Sequence, residues 1–228
     1  MISRACKLLL FAAIALFGGC TPMHYSMHDA LVRLEAVRTI GIAQPDIKVF
    51  ELSEDGVTVM DDLSRAAARN STEEMASFFK EAGFKVQFVE PSLKTMKELQ
   101  EARALSKAVH KNLQDFRNPV GNAPQPTLGT LEALADVDAF VFMDGFEVHK
   151  DEKAALSKKL AKLAVSSIYG PSALPREGRS RACVSLVEAN GGVVWASFRD
   201  VPISLEENFK EREKTRKLVR GLLSRFPN

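Results

Sequence analysis

Asp138-Ala139-Phe140-Val141-Phe142-Met143-Asp144-Gly145-Phe146-Glu147-Val148 holds a continuous apolar run rather than the alternation of a half-buried strand. Such a run argues for a strand buried on both faces, hence central in a sheet that needs cover on each side. Working outward from it, Arg181 to Ala189 and Val193 to Val201 read as two strands joined at Asn190-Gly191, the strongest short hairpin signal in the chain. A last helix is expected from about Leu205 to Arg225, with Phe209, Leu218 and Leu222 facing inward.

Toward the amino terminus, a short helix from about Leu128 to Ala135 follows a Pro-rich loop at 117–127, where Pro119, Gly121, Pro124 and Pro126 oppose regular structure. Before the loop, Leu93, Met96, Leu99, Ala102, Leu105 or Ser106, Val109, Leu113 and Phe116 recur at helical spacing after a Ser92 cap. Val37 to Ala43 and Phe84 to Val89 alternate as strands, and Pro45 stops the first. Ile47 to Leu52 is a second short strand or an extension of the first past a bulge. Between them, a helix capped by Asp62 and ended by Gly83 carries Leu63, Ala66, Ala67, Asn70, Met75, Phe78, Phe79 and Ala82 as its apolar positions. The whole reads as an α/β fold: a mixed β-sheet sandwiched by helices, with a carboxy-terminal β-hairpin and closing helix, forming one domain over 37–228.

The first residues carry a different signal. Arg4 and Lys7 precede ten apolar residues from Leu8 to Phe17, too few to span a bilayer but suited to a signal peptide over 1–19. The segment ends Leu16-Phe17-Gly18-Gly19-Cys20, which resembles the bacterial lipobox, with Phe17 where an aliphatic or small residue is commoner. That resemblance implies diacylglycerol on the Cys20 sulfur, cleavage before it, and acylation, for example with palmitate, of the new amine. Two or three chains hold a protein stably at a membrane where one does not. Residues 20–36, without clear period, read as a lipidated tether. Thr21 rather than Asp follows Cys20, which by resemblance to enteric lipoproteins implies sorting to the periplasmic face of the outer membrane.

Charge and cysteine content narrow the function. Residues 1–19 include Arg4 and Lys7 and no acid, so their removal lowers the 31 basic residues to 29, equal to the 29 acidic ones. A nucleic-acid partner has no support from net charge. Cys6 leaves with the signal peptide and Cys20 takes lipid, so Cys183 alone remains; internal disulfides and multi-cysteine metal sites are excluded. Cys183, inside a strand, reads as a small buried hydrophobe.

The histidines offer little chemistry. His24 and His28 are four apart, but no carboxylate or third His accompanies them in the tether. His110 is expected half-exposed beside Val109. His149 ends the central strand, where ligand groups collect in α/β folds, with Asp144, Glu147 and Asp151 near in sequence to raise its pKa or help hold a cation. Asp136, Asp138 and Asp144 are spread unlike a calcium loop. No Gly-x-Ser-x-Gly, His-Glu-x-x-His or phosphate-cradling glycine loop occurs. The expectation is therefore no enzyme, no catalytic residue, no cofactor and no metal. Between Lys153 and Ile168, Leu156, Leu160, Leu163, Ala164 and Ile168 gather opposite Lys158, Lys159 and Lys162, a helix that docks on its own sheet or lies on an anionic membrane.

Several segments together resemble a recurrent envelope-lipoprotein plan: Ile40-Gly41-Ile42-Ala43, Phe78 to Val86, Ala135 to Val141, and Val184-Ser185-Leu186-Val187-Glu188-Ala189-Asn190-Gly191-Gly192-Val193-Val194-Trp195. The last is similar to the hairpin of lipoproteins related to the curli-secretion channel subunit, the lipoprotein activators of penicillin-binding proteins and the amino-terminal domain of TolB. The chain lacks the pair of roughly ten-residue alternating strands that a membrane barrel would need, so channel formation is not implied. The resemblance implies a non-enzymatic interaction or assembly module whose partner is an envelope protein or a second copy. A transport accessory binding a small or lipidic ligand beneath the long helix is the alternative.

Overall fold

The computed structural model describes residues 23–26, 29–53, 56–89, 96–114, 137–150, 179–189, 192–203 and 207–227. Its elements in chain order are β1 (Met23–Ser26), α1 (Ala30–Ala36), β2 (Thr39–Ala43), β3 (Asp46–Ser53), β4 (Gly56–Val59), α2 (Asp61–Glu81), β5 (Lys85–Val89), α3 (Met96–Gln114), β6 (Ala139–Lys150), β7 (Arg179–Glu188), β8 (Val193–Pro202) and α4 (Arg212–Leu223). The strands form a mixed sheet in the order β1-β8-β7-β6-β2-β5, with β3 on β6 and β4 on β3. As the apolar run predicts, β6 is central: β2 and β3 lie parallel to it on one side and β7 antiparallel on the other.

β2 and β3 are one strand path broken by a bulge. Ile42 stands opposite Val141 and Asp46 opposite Asp144, so Ala43, Gln44 and Pro45 face only Phe142 and Met143. The Asp138 carboxylate sets the start of this path, accepting the backbone N–H groups of Arg38 and Thr39 at 2.8 Å each. Beyond the β3–β4 ladder, the backbone of Val49 is satisfied by α2: its N–H donates to Ser64 Oγ (2.9 Å) and its carbonyl accepts from Met60 N (2.8 Å).

Helices cover both faces. Even-numbered β6 residues Phe140 and Phe142 meet Leu99, Ala102, Leu105, Val109 and Leu113 of α3. Odd-numbered Val141 and Met143 meet the opposite layer, built from α1, α2 and α4. In that layer Phe226, just past α4, makes edge-to-face contacts with Phe78, Phe79, Phe84 and Trp195 at centroid distances of 5.9, 5.2, 6.2 and 5.3 Å. α2 and α4 are also joined at their surface by Arg220, which donates to Glu74 and Glu81. That pairing holds the Glu81 carboxyl down at about 2.

Four local expectations need correction. The expected tether contains structure: β1 pairs antiparallel with β8 over four residues and α1 packs Ala30 and Leu34 into the core. A four-residue strand shows no period of its own, because pairing with β8 creates it. Asp62 does not cap α2 but lies in its first turn with Asp61, where negative charge suits the helix dipole. The buried stripe of α2 is rotated from that expected and runs through Ser64, Ala67, Ala68, Ser71, Met75, Ala76 and Phe79. Lastly, α4 begins at Arg212, because Phe209 gives its N–H to Glu147 and Glu211 is extended.

Gly83 does end α2, at φ +93°, with Phe84 N donating to Phe79 O. The Asn190-Gly191 turn, the Pro-rich loop, the helix at 128–135, Asp151, the 153–168 segment and residues 1–22 lie outside the described residues.

Candidate functional site

α3 places Ser106 and His110 one turn apart on the face it turns to the sheet. There His110 is buried (3 % exposed), not half-exposed as its place beside Val109 suggested. Opposite stands Asp144, the one acid in the even-numbered row Phe140, Phe142, Asp144, Phe146, Val148 of β6. His110 Nδ1 and Asp144 Oδ2 are 2.9 Å apart, so Nδ1 donates its proton to the carboxylate. His110 Nε2 also lies 3.4 Å from Ser106 Oγ, which is in turn hydrogen-bonded to Ser185 Oγ at 2.7 Å. The result is a chain of polar groups through Ser185, Ser106, His110 and Asp144.

The order Ser–His–Asp is that of a hydrolase relay, but the setting differs. Both serines are fully buried, one within a helix and one within a strand, rather than on the sharp turn that exposes a nucleophile. The Ser106–His110 separation also exceeds the reach of an efficient base. What the arrangement does chemically is give partners to Ser185, Ser106, His110 and one oxygen of Asp144 at a helix–sheet interface, where an unpaired polar group is costly.

His149 belongs to a second cluster on the opposite face, since odd and even residues of a strand diverge. Asp144 and His149 therefore cannot form the grouping suggested by their closeness in sequence. Glu147, fully buried, accepts from the backbone N–H of Phe209 (2.6 Å) and from Ser180 Oγ. His149 Nε2 lies 2.5 Å from Glu147 Oε1 but off the line of a hydrogen bond. This carboxylate clips the segment before α4 to the sheet centre. Gly145 makes room for the clip: a Cβ there would come within 2.8 Å of the Phe209 ring.

Cys183 is buried and reduced, next to Asp144 across the β6–β7 ladder. Among the described residues no group of three or more His, Cys, Asp or Glu is placed to hold a metal ion. The backbone of His24 belongs to β1, while Cys20 and His28 lie outside the described residues.

One open feature among the described residues is a crevice of about 500 Å³ between the first turns of α2 and the start of α3, floored by the β2–β3 bulge. It lies where β2 and β5 end, with α2 and α3 on opposite faces of the sheet; crevices at the carboxyl ends of parallel strands are where α/β sheets bind ligands. Arg103 reaches across it to the Gln44 carbonyl (2.5 Å), and Lys107 Nζ binds Asp46 Oδ2 at 2.8 Å. Burial raises the Asp46 pKa, but the Lys107 bond and the charges of Lys107, Arg103 and Lys48 outweigh it and leave the carboxyl below its ordinary range. Asp61, Arg65, Leu99 and Met96 complete a lining of both charge signs and apolar surface. No sequence motif marked this crevice, because the bulge and two distant helix starts assemble it.

No protein-family model matches the chain, and no curated protein matches it. Among solved structures, the LpoB C-terminal domain from Salmonella enterica is similar at 7 % identity, covering 76 % of this chain and 94 % of that one, with a TM-score of 0.26. The LpoB C-terminal domain from Escherichia coli is similar at 10 % identity over 85 % and 93 % of the two chains, with a TM-score of 0.25. Backbone agreement of that order assigns the chain to no family.

Proposed function

We propose that this chain is an envelope lipoprotein, held by lipid on Cys20 at the periplasmic face of the outer membrane, whose folded domain is a non-enzymatic interaction or assembly module. The observation that carries the reading is the run Leu16-Phe17-Gly18-Gly19-Cys20 after a short apolar stretch and two basic residues. The described domain is compatible with it. His110 with Asp144 holds α3 to the sheet and Glu147 holds the segment before α4, and no helix among the described residues is long and apolar enough to cross a membrane. The partner is an envelope protein or a second copy of the chain.

Crosslinking in intact envelopes tests this. A discrete crosslinked species is expected for the wild type and is lost in Cys20→Ser; an uncrosslinked monomer in both would contradict a role in assembly. The crevice beside Arg103 and Asp46 favours a second reading, a transport accessory with a small or lipidic ligand. A molecule of fixed mass retained by the natively purified wild type and lost on Arg103→Ala would replace the first reading by the second.

A further inference from the structure

Only Thr21 and Pro22 separate Cys20 from Met23, the first residue of β1. β1 is built into the sheet: it pairs with β8 from Met23 opposite Phe198 to Ser26 opposite Trp195, and Tyr25 packs against the α3-side core. Three Cα steps reach at most about 11 Å, while one headgroup layer is roughly 5–8 Å thick. A free tether over 20–36 would instead spread over roughly 20–25 Å. Resting on the lipidation reading, we propose that the β1 side of the domain lies directly against the bilayer surface, with α1 as its apolar contact.

α1 supplies the second observation. It follows β1 closely and packs over β8, the neighbour of β1, burying Ala30 and Leu34. On its other side it leaves Leu31 and Val32 57 % and 69 % exposed, the latter the most exposed large apolar side chain described. Two adjacent apolar groups beside a lipid-held strand are suited to the interfacial layer of the bilayer. β5 stands at the far end of the strand order, five strand spacings or about 24 Å from β1. The crevice floor at Asp46 shares a register row with Met23, four strand spacings away through Phe198, Cys183 and Asp144.

The test uses full-length, lipidated protein in phosphatidylethanolamine/phosphatidylglycerol vesicles containing headgroup-nitroxide lipid, with a fluorophore on Val32→Cys or on Lys85→Cys at the start of β5. The buried Cys183 is left in place, and mass spectrometry of the Cys20 peptide reports lipidation separately. The expected result is several-fold stronger quenching at position 32 than at 85. Insertion of ten Gly/Ser residues between Pro22 and Met23 should bring the two values together. Equal quenching without the insertion, on protein whose Cys20 carries lipid, overturns the apposition while leaving the anchor intact. Absence of lipid on Cys20 overturns both.

Discussion

Truncating His110 to alanine is expected to destabilise the domain by about 3–5 kcal/mol, the usual loss when one side of a buried pair is removed. Asp144 Oδ2 would lose its 2.9 Å partner while Oδ1 already has no hydrogen bond, leaving a carboxyl stranded under α3. Ser106 would lose its His110 partner in the same step. For a domain of this size the melting temperature should fall by roughly 10 °C. A further variant separates this from a functional requirement: His110→Leu with Asp144→Leu replaces the pair by apolar side chains and should recover much of the loss. A wild-type urea midpoint for His110→Ala would show that the chain of polar groups does not hold α3 to the sheet.

Phe226→Ala should have a comparable effect, about 3–5 kcal/mol for emptying a large buried site. Phe226 touches Phe78 and Phe79 of α2, Phe84 beyond it and Trp195 of β8, so its ring joins three parts of one layer. Each edge-to-face pair adds about 0.5–1.5 kcal/mol beyond area burial. Trp195 is the sole tryptophan, which makes its emission a direct probe. Its indole N–H also donates to the Arg225 carbonyl at 3.2 Å. The variant should unfold at lower denaturant, with red-shifted native emission. An unshifted spectrum at unchanged stability would mean that the carboxy-terminal residues do not close this layer.

The sheet was legible where pattern and burial coincide. The apolar run of β6 announced its central place, and the alternation of Thr39 to Ala43 and Lys85 to Val89 marked two of the parallel strands. Pro45 and the apolar residues after it left a second short strand and an extension past a bulge both open, and the register against β6 shows the bulge. The edge was not legible: Met23 to Ser26 become a strand only because Trp195 to Phe198 offer partners, which is tertiary information. The buried pair has a partial signature in the sequence. A single acid in the even-numbered row of a strand covered on both faces requires a partner, and extending the α3 stripe from Ala102 through Ser106 leads one turn on to His110. The pairing itself joins residues 34 positions apart, which no local period encodes. Sequence proximity of Asp144 to His149 pointed elsewhere, and strand parity corrects it.

The account rests most heavily on Cys20, and metabolic labelling with palmitate tests it most directly. Wild-type chain expressed in a bacterial host should incorporate label, lose residues 1–19 and sediment with outer-membrane markers. Cys20→Ser should incorporate none and remain as uncleaved precursor or soluble protein. Label at wild-type level in Cys20→Ser, or none in the wild type, would contradict the anchor and with it the placement of the domain against the membrane.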